Sequence, residues 1–167
     1  MPTIIKPENF EFRTDSSSLE DFGLKTLIPR LGAISESKHL VFDIRQLDPG
    51  KFSFPYHFHR NAEELIMIIS GGMTLRSVDG FQIVNTGELV FFEIGETSAH
   101  QFYNHTHSPC AYLDIRTTVG MDITEYPDSG KINILPSWEV YEKNTRVEYN
   151  RNEENVREIW NKLQEKQ

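Results

Sequence analysis

The sequence predicts a single all-β domain, either a sandwich or a closed barrel, and three observations carry the prediction. Short runs rich in β-branched and aromatic residues follow one another from Lys38 onward, each closed by turn-forming residues. No segment of 20–50 residues repeats, which removes solenoids and propellers. The 167 residues are the length of one domain, which buries roughly 70% of its unfolded surface on folding and so has a real core.

Taken in order, HLVFDIRQL (39–47) ends at Asp48-Pro49-Gly50, and KFSFPYHFH (51–59) ends at Arg60-Asn61. ELIMIIS (64–70) stops at Gly71-Gly72, MTLRSV (73–78) at Asp79-Gly80, and FQIV (81–84) at Asn85-Thr86-Gly87. ELVFFEI (88–94) meets Gly95, HQFYN (100–104) precedes Ser108-Pro109, and CAYLDIRT (110–117) completes eight expected strands. Asp79-Gly80 is the strongest hairpin signal, because a type I′ turn needs positive φ and glycine supplies it without steric cost. The chain therefore divides into an N-terminal extension packing on the barrel (1–38), a barrel core (39–117) and a C-terminal tail (118–167). In that tail Val156, Ile159, Trp160 and Leu163 recur at helical spacing, predicting a helix over about 152–165. Asn152 is its expected N-cap, Glu153 and Glu154 favour its first turn, and its apolar stripe is expected to cover part of a sheet.

Charge and hydropathy narrow the partners. Seventeen Lys and Arg face 25 Asp and Glu, and the resulting net charge of -8 repels a phosphate backbone, so nucleic acid is excluded as a partner. The longest apolar run, Leu65–Ile69, has five residues, far short of the ~20 a membrane-spanning helix needs, so no membrane association is expected. Cys110 is the single cysteine and cannot form an internal disulfide, and MPTIIKPENFEF lacks the basic start and apolar run of a secretory signal. The expectation is a cytoplasmic protein.

The candidate site lies in PYHFHRNAEELIMIIS (55–70). Strand side chains alternate faces, so His57 and His59 point the same way, and Glu64 shares the inward face of Ile66 and Ile68. A buried carboxylate must be paired, hydrogen-bonded or bound to a cation. A third histidine, His100, opens a later strand. The four make a mixed nitrogen and oxygen set that suits one divalent first-row metal ion, Fe, Mn, Ni or Zn, and leaves coordination positions open.

At these residues the chain resembles the cupin superfamily. Gly50, His57, His59, Glu64 and Gly71 match its first motif, and Gly87, Gly95, His100 and Asn104 its second. It departs from the pattern by one extra residue between Gly50 and His57, by Glu93 where proline is usual, and by two extra residues between Gly95 and His100. The resemblance implies a double-stranded β-helix (jelly-roll) barrel over residues 39–117, with His57, His59, Glu64 and His100 as metal ligands. It implies a metal-dependent enzyme acting on a small organic molecule, by dioxygenation or by sugar isomerisation, with a non-catalytic metal-binding or ligand-binding module as the alternative. Catalytic residues other than the ligands are not identified. EYPDSGKI (125–132) is similar to a tail of some small single-domain cupins and names no substrate. Ile66, Ile68, Phe102 and either Tyr112 or Leu113 are expected to line the interior, and Arg45 or Arg116 to meet an anionic group on the ligand.

Other reactive side chains receive plainer readings. His39 is structural, and His105 and His107 sit in a solvated loop before Ser108-Pro109. Asn104-His105-Thr106 has the form of a glycosylation sequon, which a cytoplasmic chain would not use. Cys110 is a small buried hydrophobe, and Asp128 and Lys131 belong to a surface turn. Leu65, Met67 and Ile69 make the outer face of their strand apolar, so something must cover it. The candidates are the N-terminal segment (Ile4, Ile5, Phe10, Phe12), the C-terminal helix or a second subunit, and the expected assembly is a homodimer.

Overall fold

The computed structural model describes residues 2–6, 8, 10–14 and 19–165. Among them the strands are β1 (Glu11–Thr14), β2 (Leu24–Ile28), β3 (Leu40–Leu47), β4 (Phe58–His59), β5 (Glu64–Ser70), β6 (Gly72–Ser77) and β7 (Gly80–Asn85). They continue with β8 (Leu89–Phe92), β9 (Gln101–Tyr103), β10 (Cys110–Thr117), β11 (Asp122–Tyr126), β12 (Lys131–Leu135) and β13 (Glu139–Glu142). Two α-helices, α1 (Leu31–Ile34) and α2 (Val156–Gln164), and two single-turn 3-10 helices, Glu96–Ser98 and Lys143–Thr145, complete the regular structure. The fold is mostly β, and its strands form a six-stranded sheet in the order β1-β2-β3-β10-β5-β8, a four-stranded sheet β13-β12-β11-β4 and a three-stranded sheet β7-β6-β9.

Period-two alternation builds the interior. Asp43, Arg45 and Leu47 of β3, Glu64, Ile66 and Ile68 of β5, and Cys110, Tyr112 and Asp114 of β10 are all buried, while the residues between them are not. Leu47, Ile68, Met73, Leu75, Phe102, Cys110 and Tyr112 pack into one apolar cluster at one end of this interior. Each such side chain contributes roughly 1.5–3 kcal/mol of transfer free energy on burial, which is what drives the sheets together. Gly71 is required where β5 turns into β6. Its φ is +82°, and a Cβ there would lie 3.1 Å from Cys110 Cα and 3.2 Å from the Pro109 carbonyl.

Four expectations need correction. KFSFPYHFH is not one strand: only Phe58–His59 is regular, with isolated bridges at Phe52 and His57, because Pro55 brings no N–H to a ladder. The β6–β7 hairpin forms, but among its turn residues only Gly80 has positive φ, at +111°, so the turn is not type I′. Helix α2 begins at Val156 and Asn152 is not its N-cap, since Asn152 sits at φ +67° outside it. Its stripe of Val156, Ile159, Trp160 and Leu163 stays exposed instead of covering a sheet.

The sequence reading missed five strands. β1 and β2 extend the large sheet beyond β3, and β11–β13 form a meander in which β11 pairs with β4. The four or five residues of each lack a clean alternation, so their strand character comes from pairing more than from local pattern.

Candidate metal centre

Backbone pairing brings the three histidines together. His57 and His100 exchange two main-chain hydrogen bonds, His57 N–H to the His100 carbonyl at 3.1 Å and His100 N–H to the His57 carbonyl at 2.8 Å. Such directly opposed residues share a face, and the two ring centroids lie 4.6 Å apart. His59, two residues along, follows onto that face with its ring 5.3 Å from that of His57. Phe92 stacks on His100 at 18° between ring planes and restricts its rotation. Tyr56 and Phe58 face the other way and pack with Ala99, so both sides of this segment are anchored.

Each ring is also oriented by a hydrogen bond from Nδ1: to the Pro55 carbonyl at 2.8 Å for His57, to Asp122 Oδ2 at 2.5 Å for His59, and to the Ser98 carbonyl at 2.9 Å for His100. Carbonyls and carboxylates only accept, so each Nδ1 carries the proton and each Nε2 is left with its lone pair. Asp122 is itself fixed by the Asn61 N–H at 2.9 Å. Outer partners of this kind set ring tautomer and orientation at metal sites.

Glu64 lies among these Nε2 atoms. Its Oε2 is 3.2 Å from His100 Nε2 and 3.9 Å from His59 Nε2, yet it is buried and has no hydrogen bond in line. Ligand atoms of His57, His59 and Glu64 all fall within 4.8 Å of one another. His100 stands outside that group of three while contacting Glu64. A buried, unpartnered carboxylate oxygen surrounded by imidazole lone pairs is an arrangement that a divalent cation satisfies, so the residues fit a metal ion.

The electrostatics agree with this crowding. Burial, reinforced by repulsion from His100, pushes His57 down to about 3 despite the attraction of Glu64. Burial pushes the Glu64 carboxyl up, but the surrounding imidazoles of His100, His57 and His59 together outweigh it and hold the group below the usual range. Asp114 goes the other way: burial and the Glu64 carboxylate push it up to about 7, although Arg45 Nε donates to it at 3.0 Å. Arg45 also donates from Nη1 to Thr26 Oγ1 at 2.6 Å.

The remaining candidates sort clearly. Asn104 is fully buried and structural, donating to the Leu47 and Ser108 carbonyls and accepting from Thr106, which clamps the loop before β10. His39, His105 and His107 are exposed, and His105 Nδ1 lies 2.9 Å from Thr74 Oγ1, remote from the cluster. Burial lifts the Cys110 thiol to about 11, leaving it protonated and unreactive. Asp128 makes a bidentate pair with Arg76, at 2.6 and 2.9 Å, that ties the β11–β12 turn to β6, and Lys131 lies over the Tyr126 ring. Asp122, Thr124, Tyr126 and Asn133 of the meander were missed from sequence. The one signal for Asp122 was an acidic residue after Gly120, too common to single out.

A cavity of about 240 Å³ opens beside the cluster, lined by His57, His59, Glu64 and Asp114 and by Arg116, Tyr126 and Asn133 on its outer walls. It lies near the lower end of small-molecule sites. Ile66, Phe102 and Tyr112, expected to line the site, border a small recess that His57, Glu64 and His100 also line, while Ile68 lines neither this recess nor the larger cavity.

Residues 44–116 match the family model of the cupin domain. No curated protein matches the chain by sequence. Among solved structures, the chain is similar to a sugar phosphate isomerase of the cupin superfamily from Silicibacter pomeroyi DSS-3, with TM-score 0.75 and 21% identity over 89% of this chain and 98% of that one. A candidate sugar phosphate isomerase from Acidithiobacillus ferrooxidans ATCC 23270 aligns with TM-score 0.66 and 25% identity over 74% of this chain and 81% of that one. The polyketide cyclase RemF from Streptomyces resistomycificus aligns with TM-score 0.55 and 21% identity, covering 70% and 80% of the two chains.

Proposed function

Since residues 44–116 of this chain are a cupin domain, we propose that the protein is a metal-dependent enzyme acting on a small organic molecule, of the sugar isomerase type, built on a double-stranded β-helix barrel. His57, His59, Glu64 and His100 are the proposed ligands of one divalent ion. The observation that carries the reading is the buried, unpartnered Glu64 Oε2 set among three imidazoles whose Nδ1 atoms are already committed. Bound there, the ion supplies Lewis acidity toward a substrate oxygen. The chain contributes orientation: Asp122 and the Pro55 and Ser98 carbonyls hold the rings, and the walls of the cavity exclude bulk water from one side of the ligand. The likeness to the Acidithiobacillus protein supports the isomerase class over the oxygenase class.

The test is a panel of aldose and ketose phosphates in D₂O with protein loaded separately with Mn, Fe, Ni and Zn. The expected result is aldose–ketose interconversion, in which a proton leaves C2 and one from solvent is delivered to C1, so deuterium enters the product without any oxidant. Metal and ligand binding without turnover would make the protein a non-catalytic module, and oxygen uptake would return the reading to an oxygenase.

The proposed assembly is a homodimer. Met67 and Ile69 of β5 and Leu89 and Phe91 of β8 leave a continuous apolar face 38–61% exposed. Strand β1 lies at the opposite edge of that sheet, and the α2 stripe is itself exposed, so among the described residues neither covers it. A second copy is the remaining candidate. Light scattering is expected to give twice the mass of one chain, reduced toward one chain by Phe91→Glu. A monomer at high protein concentration overturns this.

A further inference from the structure

We propose that the cavity beside the histidine cluster recognises a polyhydroxylated oxyanion, with Arg116 taking the phosphate or carboxylate and Asn133 accepting a hydrogen bond from a ligand hydroxyl. The proposal rests on the small-molecule reading above and names the substrate class within it.

Arg116 continues the inward series of β10 after Cys110, Tyr112 and Asp114, and it stands opposite Glu64 in the β10–β5 register. Three arginines line the cavity, but they are not equivalent. Arg30 is held by Asp43 at 2.6 Å, and Arg45 is held by Asp114 and Thr26. Arg116 is half-buried and, among the described residues, makes no hydrogen bond or ion pair. Its charge acts on Asp122, which it helps to hold down, and on Tyr126, whose hydroxyl burial raises against it. A planar guanidinium with its donors free, at the mouth of a partly shielded cavity, matches the paired oxygens of a phosphate or carboxylate.

Asn133 faces the cavity from β12, on the far wall. It is 4% exposed, and its Oδ1 has no hydrogen-bond partner. Buried acceptors are rarely left unmade, and the group that completes this one must be a donor. The cavity therefore offers a cation on one wall, an acceptor on another and the Glu64 cluster at its floor. A short chain carrying an oxyanion at one end and hydroxyl groups along its length satisfies all three. An apolar ligand leaves Arg116 and Asn133 unpaired, and a simple anion leaves Asn133 unpaired.

Calorimetric titration of metal-loaded and chelator-treated protein with ribose 5-phosphate, ribonate, ribose and n-butyl phosphate tests this. At least one of ribose 5-phosphate and ribonate is expected to bind tenfold or more tightly than ribose in both forms, and the tighter of the two identifies phosphate or carboxylate as the anion. Arg116→Gln is expected to remove that advantage while leaving ribose binding and the melting temperature unchanged, and Arg116→Lys to restore part of it. Ribose 5-phosphate should exceed n-butyl phosphate severalfold, a difference that Asn133→Leu erases. If that variant does not fold, the wild-type comparison of the two phosphates decides the hydroxyl contact. Equal affinity for ribose and both anions, no binding of any probe, or full anion affinity in Arg116→Gln overturns the proposal. Anion selectivity that survives in chelator-treated protein with no isomerase turnover would leave this inference standing and remove the enzymatic one. Turnover with an Arg116→Gln variant of unchanged KM would do the reverse.

Discussion

The two ends of the interior between the sheets are built on the same strands and are both buried, yet they are buried for opposite reasons. At one end Leu47 of β3, Ile68 of β5 and Cys110 and Tyr112 of β10 fill the space between the sheets. Two residues along each strand, on the same inward face, stand Arg45, Ile66 and Asp114, with Glu64 beyond Ile66 and the three histidines opposite. The first end gains free energy by leaving water. The second loses solvation at charged and polar groups and recovers it only through hydrogen bonds and, on the proposed reading, a cation. Burial alone therefore does not distinguish a structural residue from a functional one here; the fate of each polar atom does.

The comparison breaks most sharply at the ligands. His57→Ala and Glu64→Gln are expected to lose stoichiometric metal while remaining folded, because the apolar end does not depend on the ion, and His105→Ala is expected to keep both metal content and melting temperature. Metal quantitation on tag-free protein purified identically checks this. Equal metal in wild type and His57→Ala would mean that the polar end is not a metal site.

Next in size is the apolar end itself. Leu47 is fully buried in the cluster, and Leu47→Ala is expected to cost about 2–5 kcal/mol in denaturant unfolding of the metal-free protein. A cost below about 1 kcal/mol would show that the two ends do not divide stability and function as described.

The polar end should announce itself through pH. His57 sits near 3 in the folded protein against ~6.5 unfolded, so the unfolded chain binds more protons and stability rises as pH rises through that window. Asp114 sits near 7 against ~3.9 unfolded, so the folded chain binds more protons and stability falls as pH rises from about 4 to 7. Between about pH 4 and 6.5 the two oppose each other. In chelator-treated protein Asp114→Asn should expose a positive slope approaching ~1.4 kcal/mol per pH unit, and His57→Gln a negative one. Unfolding midpoints measured from pH 4 to 6.5 provide the readout, and identical slopes in both variants would contradict the assigned shifts.

The smallest effect sharpens the role of the meander. Asp122→Asn keeps the side chain's shape but weakens the acceptor that orients His59, and it is expected to lower metal affinity by ~10–100-fold without loss of fold. Competition with a calibrated chelator measures it, and an unchanged affinity would make the Asp122–His59 contact incidental.

The extent to which all this was legible in the sequence differs residue by residue. β5 could be read almost in full, since Glu64, Ile66 and Ile68 alternate cleanly and both bounding glycines are local signals. The inward pairing of His57 and His59 followed from period two, even though Pro55 reduced the expected strand around them to two regular residues. β11–β13 could not be read this way, because their strand character depends on pairing with β4 and with one another, and pairing partners are not written in a local pattern. The helix stripe was visible, but whether anything covers it was not.

The sequence by itself determined the β class, the β6–β7 hairpin and the shared face of His57 and His59, because these rest on periodicity, turn chemistry and spacing within a few residues. Only the tertiary structure decided which nitrogen of each ring is free, that Arg45 and Arg30 are already paired while Arg116 is not, and that Asp122 and Asn133 reach the site from a distant meander. Those are properties of distances between residues far apart in the chain, and a hydrogen bond across 63 positions leaves no trace in the local composition at either end.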